Sequence, residues 1–373
     1  MLFPACCGLI LSALLVANRR KALQEGTAET PVAPPRYAYW AGPAVAVVML
    51  VVTIAWGSSY GLGLRDPDGI IGWRFSFVLM LVGGFVALDV IPRALVAART
   101  NRTPAWATLV ALARERWPWR RIGFVLGAIV AFYVTYLCYR NVKSYLPLAR
   151  PEIVDSDLAN FERGVFGTDP STLMHQLLGT GVSAQVLSTV YLLFLTFVPI
   201  SVGVALVWSR DRAGGLWWVS VLSINWVLGV ASYFLLPSMG PAFVEPHLFS
   251  GLPNTGTESL QAALMEDRRA FVADPVGSGQ LQSIAAFASL HVSIVFAGAL
   301  VAHLLRAPRP LRIAMWAFLG MTFAATIYFG WHYVVDDIAG FAIGFASVYL
   351  GALMTGWRIE RRPAAARLQL ESA

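Results

Sequence analysis

The chain has 373 residues, 57% of them hydrophobic and only 13% charged, where soluble domains carry roughly a quarter charged residues, and this excludes a soluble globular enzyme. Thirteen Trp, 12 Tyr and 21 Phe exclude a disordered chain, which lacks that much apolar surface. The net charge of +7 is almost wholly arginine, since Lys21 and Lys143 are the only lysines, and the three cysteines, Cys6, Cys7 and Cys138, make neither a disulfide framework nor a Cys-rich metal site.

A bilayer core about 30 Å thick takes about 20 apolar residues as helix. Nine such runs are present, near 2–17, 39–61, 74–97, 122–139, 186–208, 217–236, 285–305, 313–330 and 333–356. The first has no basic start and no small-residue cleavage site, and Arg19, Arg20 and Lys21 follow it, so it reads as a span rather than a cleaved signal. The expected fold class is all-α, a polytopic membrane helical bundle of about nine transmembrane helices. The polar, Arg-rich stretch 98–121 divides an N-terminal region of three spans, 1–121, from a six-span region, 122–356, and a basic tail, 357–373, follows.

Placing the N-terminus outside puts 20 of the 28 basic residues in the inner segments 18–38, 93–121, 209–216, 306–312 and 357–373. The other eight, Arg65, Arg74, Arg140, Lys143, Arg150, Arg163, Arg268 and Arg269, fall outside. Such a bias orients a multi-pass protein of a bacterial cytoplasmic membrane with its N-terminus out and its C-terminus in. The outer loops 140–185 and 237–284 are long and carry both signs of charge, so they are expected to fold. Asp89, an acid inside a span, is a candidate for function by default, but Arg93 one turn on makes an interfacial ion pair the better reading.

Chemistry-bearing residues begin just beyond the fourth span, in Lys143-Ser144-Tyr145-Leu146-Pro147-Leu148-Ala149-Arg150-Pro151. An ammonium and a guanidinium together suit an anion, and Arg suits bidentate contact with phosphate. Snorkelling to headgroups is the competing reading, but this is the face that the charge bias depletes of cations. His291 follows at the outer end of the seventh span, in Phe287-Ala288-Ser289-Leu290-His291-Val292-Ser293. At the outer mouth of the last span lies Tyr328-Phe329-Gly330-Trp331-His332-Tyr333-Val334-Val335-Asp336-Asp337. His332 and Asp336, four apart, share one helix face, so the carboxylate can orient one imidazole nitrogen and leave the other as base or nucleophile. Asp337 points about 100° away and is the poorer partner; helix capping is the competing reading for the pair. Two cations, two histidines and one acid on one surface amount to a phosphate-handling site. His175, His247 and His303 have no comparable setting.

These residues resemble the type 2 phosphatidic acid phosphatase superfamily. Lys143 to Pro151 is similar to its K-x6-R-P first motif, Ser289-Leu290-His291 to its P-S-G-H second motif, and His332-x3-Asp336 to the end of its S-R-x5-H-x3-D third motif. The S-L-H form, the G-W-H-Y-x2-D wording and Pro237-Ser238-Met239-Gly240-Pro241 resemble the branch that contains inositol phosphorylceramide synthase. Thr326 stands where the third motif has its arginine, and Ala325 where it has its serine; Arg150 and His291 are separated by two spans more than is usual in the lipid phosphatases. The resemblance extends over about 122–356 and implies a six-helix phosphatase-like core.

It also implies a two-step phosphoryl transfer, in which His332 attacks phosphorus, Asp336 orients it, His291 protonates the leaving alcohol, and Lys143, Arg150 and Ser289 bind the phosphate. No cofactor and no metal are expected. The donor would be a lipid-linked phosphate in the outer leaflet, and the site would face the extracytoplasmic side. An alcohol acceptor makes the chain a phosphotransferase, for instance of phosphoinositol; water makes it a lipid or polyprenyl phosphate phosphatase. No nucleic-acid partner is expected. A transporter or flippase is the alternative of another class, but its paired repeats and broken half-helices are not evident.

Overall fold

Backbone in a bilayer has no partner for its N–H and C=O groups except itself, so apolar runs free of charged side chains become helix. The computed structural model describes residues 37–66, 73–208 and 212–357, and the regular structure in them is entirely helical. The long helices are α1 (Ala38–Ser59), α2 (Trp73–Asn101), α4 (Trp119–Ser144), α7 (Val182–Trp208), α8 (Arg212–Leu235), α11 (Arg309–Tyr328) and α12 (Val334–Thr355), with a shorter apolar helix α10 (Leu290–Leu304). Outside the spans lie α3 (Ala105–Arg116), α5 (Asp155–Phe166), α6 (Pro170–Leu178) and α9 (Gly256–Ala273).

Seven of these helices are long and apolar enough to cross a membrane. The expected first span, 2–17, lies outside the described residues. The run expected over 285–305 is a helix of only 15 residues. At 1.5 Å per residue it rises about 22 Å, short of a bilayer core. The reason is Ser289, whose side chain accepts from the Val292 N–H as N-cap and so starts the helix late. Residues before it are held extended instead: Ala286 N donates to the Ser238 carbonyl (2.9 Å), and Ser289 N to the Asp336 carbonyl (3.0 Å).

A helix this short is stable because it is central. It packs against α8, α11 and α12, and Val292, Ile294, Val295 and Ala297 are fully buried. Close approach to α12 depends on small residues one turn apart: a Cβ at Gly340 would stand 2.5 Å from the Ser289 carbonyl oxygen, and one at Gly344 2.6 Å from that of Ser293. α1 lies along α4 and α8, while α2 packs against α3 and α7. Asp89 is an ion-pair residue, as its neighbour Arg93 suggests. It accepts from Arg93 Nε (3.2 Å) and also, bidentately, from Arg116 Nε and Nη2 (2.9 and 3.0 Å), which ties α3 to α2.

Both long loops fold. The first forms α5 and α6; the second forms short turns at Pro241–Val244 and Pro246–Phe249 and then α9. α9 is pinned at its start by Thr257, which donates through N and Oγ1 to Ser188 Oγ (3.1 and 2.9 Å), and along its length by Gln261 Nε2, which donates to the Phe329 carbonyl (2.8 Å). After it, Arg65 clamps the carbonyls of Pro275, Val276 and Gln280. The second loop is thereby fastened over the turn between α11 and α12.

Candidate active site

That turn, residues 329–333, carries His332. Trp331 N and His332 N both face the Thr326 carbonyl (2.9 and 3.4 Å), folding the chain back on the end of α11. Gly330 makes this possible. Its φ is +62°, and the ring of Phe249 occupies the place where a Cβ would stand. Trp331 stacks on Tyr191 (centroids 4.9 Å, planes 7° apart), and His175 Nε2 meets the Tyr328 carbonyl at 2.8 Å from the other side. His332 is left 6% exposed, and burial holds its imidazole below the ordinary histidine value.

His291, in the first turn of α10, faces it. The two imidazole centroids are 5.8 Å apart. Tyr191 also stacks on His291 (4.5 Å, 25°), so one phenol ring lies between Trp331 and His291, and Phe194 closes the other flank at 4.3 Å. Aromatic packing on α7 thus holds His291 directly and the His332 turn through Trp331.

The two acids divide their work differently from what helical spacing alone suggests. Asp336 Oδ2 lies 3.6 Å from His332 Nδ1, beyond a hydrogen bond. The same oxygen accepts from the Tyr333 N–H (2.9 Å) in a capping box that starts α12. Asp337 Oδ2 accepts from Thr326 Oγ1 (2.8 Å), and its carboxylate also interacts with the Ser289 side chain and with the His332 charge. Both acids are fully buried. Capping, one of the two alternatives on the sequence, is thus what the Asp336 oxygen does, at 3.6 Å from the imidazole.

Lys143 comes to the site from the end of α4 and acts electrostatically on both imidazoles. It is 8% exposed. Its described contacts are a phenol and two ring faces: Nζ reaches Tyr139 Oη at 3.5 Å and sits over the rings of Tyr233 (4.7 Å) and Tyr139 (5.8 Å). A buried ammonium without a carboxylate beside it is costly, and an anion would relieve it. Arg150, by contrast, is exposed and donates from Nη1 to the Phe234 carbonyl (2.7 Å) at the C-terminal end of α8. Ser289 is buried and spends its hydroxyl on capping α10 and on Asp337.

Several residues of the site have no motif to announce them. Glu162 on α5, 3% exposed, accepts from the Val335 N–H (3.1 Å) at the start of α12, and burial raises its pKa to about 7. Asp155 at the head of α5 accepts from the N–H groups of Met239 and Gly240 and from Tyr333 Oη (3.3 Å). Gln282 donates from Nε2 to the Lys143 carbonyl (2.7 Å). These are loop residues whose partners lie tens of residues away, so no spacing rule points to them. A small cavity of about 10 Å³ lies beside His332 and Tyr333, with Glu162, Asp169, Ser171 and Glu245 in its wall.

The described residues thus form an all-helical bundle, seven of whose helices are long and apolar enough to cross a membrane, with two facing histidines and a buried lysine at one end. A family model described as the PAP2 superfamily matches residues 156–350, more than half of the chain. The chain belongs to that superfamily, and it is an enzyme of the PAP2 phosphatase or phosphotransferase type. His291, His332, Asp336 and Asp337 lie inside the matched segment, whereas Lys143 and Arg150 precede it. Neither a curated protein nor a solved structure matches the chain.

Proposed function

We propose that the chain transfers a phosphoryl-linked group from a lipid-linked phosphate donor to an alcohol, through a phosphohistidine on His332. The observation that carries this reading is the pair of imidazoles 5.8 Å apart beside a buried ammonium that has no carboxylate among its described contacts. The ligand of this reading is a phosphate beside them. Its negative charge answers Lys143; the His332 nitrogen remote from Asp336 attacks phosphorus; the bond to the leaving oxygen breaks; and His291 gives that oxygen a proton. In the second step His291 takes the proton of the acceptor hydroxyl, whose oxygen displaces His332 from phosphorus. Asp336 stabilises the imidazolium character that develops on His332, Ser289 and Asp337 keep the second-motif segment in place, and Arg150 receives the donor at the rim.

Alcohol over water as acceptor is supported by the fastened cover of α9, because a phosphohistidine open to solvent hydrolyses before a dilute alcohol reaches it. Phosphoinositol transfer is the version suggested by the S-L-H and G-W-H-Y wording. The second reading, a lipid or polyprenyl phosphate phosphatase, is favoured by the small cavity beside His332, which is about the size that one water needs. In either case the arginine bias argues for a site on the extracytoplasmic side, with the donor in the outer leaflet.

Purified protein in detergent, incubated with ³²P-labelled phospholipid or polyprenyl phosphate and millimolar inositol or glycerol, tests the reading. Expected are a phosphodiester or phospho-alcohol product and an acid-labile, alkali-stable label on the protein that His332→Ala abolishes. His291→Ala should slow both formation and decay of that label. Free phosphate as the sole product, with every alcohol tried, would return the function to a phosphatase; label retained in His332→Ala would remove His332 as nucleophile.

A further inference from the structure

Thr326 stands where the superfamily's third motif has an arginine, and its hydroxyl is bonded to Asp337. Arg150 is turned to the Phe234 carbonyl. Lys143 is then the one motif cation that reaches the histidines, and one ammonium is a small complement for a phosphate with two charged oxygens.

α9 presents a second. The side of this helix that faces the protein reads Thr257, Gln261, Leu264, Arg268 and Phe271, recurring every three or four residues as a single stripe. Thr257 and Phe271 are fully buried at its two ends, Gln261 holds the Phe329 carbonyl, and Leu264 packs on the cluster containing Tyr191, Phe329 and Trp331. Arg268 is the single charge in this stripe, one turn from residues that touch the His332 turn. Neighbouring Arg269 and Glu266 are exposed, off this stripe.

The Arg268 guanidinium is half-buried. Its Nη1 donates to Gln282 Oε1 (3.3 Å), and Gln282, fully buried, donates from Nε2 to the Lys143 carbonyl (2.7 Å). One glutamine thus joins the guanidinium on the cover to the backbone of the lysine in the membrane. Arg268 also feels the charge of Asp155, whose carboxylate accepts from Tyr333 Oη beside His332. A guanidinium has five N–H donors, and this hydrogen bond uses one of them.

We propose that Arg268 is a phosphate ligand of this enzyme, delivered from the cover helix to the group held between Lys143, His291 and His332, in place of the arginine that the third motif lacks. The proposal rests on the phosphate-transfer reading of that site. It gives the cover a chemical part in catalysis: the segment that excludes water also supplies charge to the donor phosphate, so binding and shielding arise from one element.

Binding of inorganic orthophosphate, followed by its effect on the melting temperature of the detergent-purified protein, tests the proposal without turnover. Arg268→Gln is the main variant, because glutamine can still donate to Gln282 Oε1 and keep α9 in place; Arg268→Lys, Arg269→Ala and Lys143→Ala accompany it. Arg268→Gln should weaken orthophosphate binding about 10-fold or more, the size of one charge-assisted hydrogen bond. It should also raise KM for the lipid donor more than it lowers kcat. Arg268→Lys should recover part of the loss, and Arg269→Ala should change nothing. Orthophosphate binding that falls in Lys143→Ala and is untouched in Arg268→Gln would overturn the role of Arg268 and leave the site as read. Binding indifferent to both substitutions would overturn the phosphate site itself.

Discussion

Asp336 and Asp337 are adjacent, equally buried, and separable by what their oxygens touch. Asp336→Asn keeps an acceptor for the Tyr333 N–H, so the cap of α12 survives, but it removes the charge 3.6 Å from His332 Nδ1. By analogy with triads in which the same change costs about 10⁴-fold, transfer should fall by several orders of magnitude with the fold intact. Asp337→Asn keeps an acceptor for Thr326 Oγ1 and should cost about tenfold or less. Single-turnover rates with a labelled donor, together with melting temperatures, distinguish them; a larger loss at Asp337 would make that residue the orienting acid. His291, His332, Asp336 and Lys143 were legible as a group because each is a polar residue at the end of an apolar run, and the alternation of spans puts those ends on one side. Gln282, Asp155 and Glu162 were not, because a lone polar residue in a polar loop looks the same whether it faces water or the site.

Helices differ in how fully the sequence displays them. α4, α7, α8, α11 and α12 follow from apolar runs to within a few residues, since in lipid the hydropathy and the hydrogen-bonding requirement act together. α10 departs because side-chain capping by Ser289 and backbone bonds to the 237–241 turn compete with helix for the preceding residues. α5 lies against the head of α12 through Glu162, which sets up a titration. Burial raises the Glu162 pKa from 4.5 to about 7, with Asp336 and Asp169 acting in the same direction. Between those values the folded protein binds more protons than the unfolded one, so the stability Glu162 contributes is complete below about pH 4.5 and is lost as pH rises through about 7. Glu162→Gln keeps an acceptor for the Val335 N–H without the buried charge. The melting temperature of the wild type should therefore decline more steeply from pH 5 to pH 8 than that of Glu162→Gln, and the variant should be the more stable of the two at pH 8. Parallel curves would show that Glu162 is already ionised across this range.

For the molecule as a whole, orientation rests on arginine counts and calls for a direct measurement. In a background with Cys6, Cys7 and Cys138 replaced by serine, Glu152→Cys and Glu266→Cys mark the end that carries the site, and Arg102→Cys marks the opposite end; all three positions are exposed. A membrane-impermeant maleimide should label the first two in intact cells and the third only after permeabilisation. The reverse pattern would place the site in the cytoplasm.

Sequence by itself determined the class of molecule, its spans among the described residues apart from α10, and the gathering of the histidines at one end of the bundle. Those properties are additive along the chain: hydropathy sums over 20 residues, and charge bias sums over loops. The arrangement within the site was decided by tertiary structure. Stacking of one tyrosine between Trp331 and His291, the capping duty of Asp336, the bond of Arg150 to the Phe234 carbonyl and the inward stripe of α9 each depend on which distant segments share a few ångströms. Local spacing constrains a side chain relative to its own helix, whereas these contacts are set by how helices remote in sequence pack against one another.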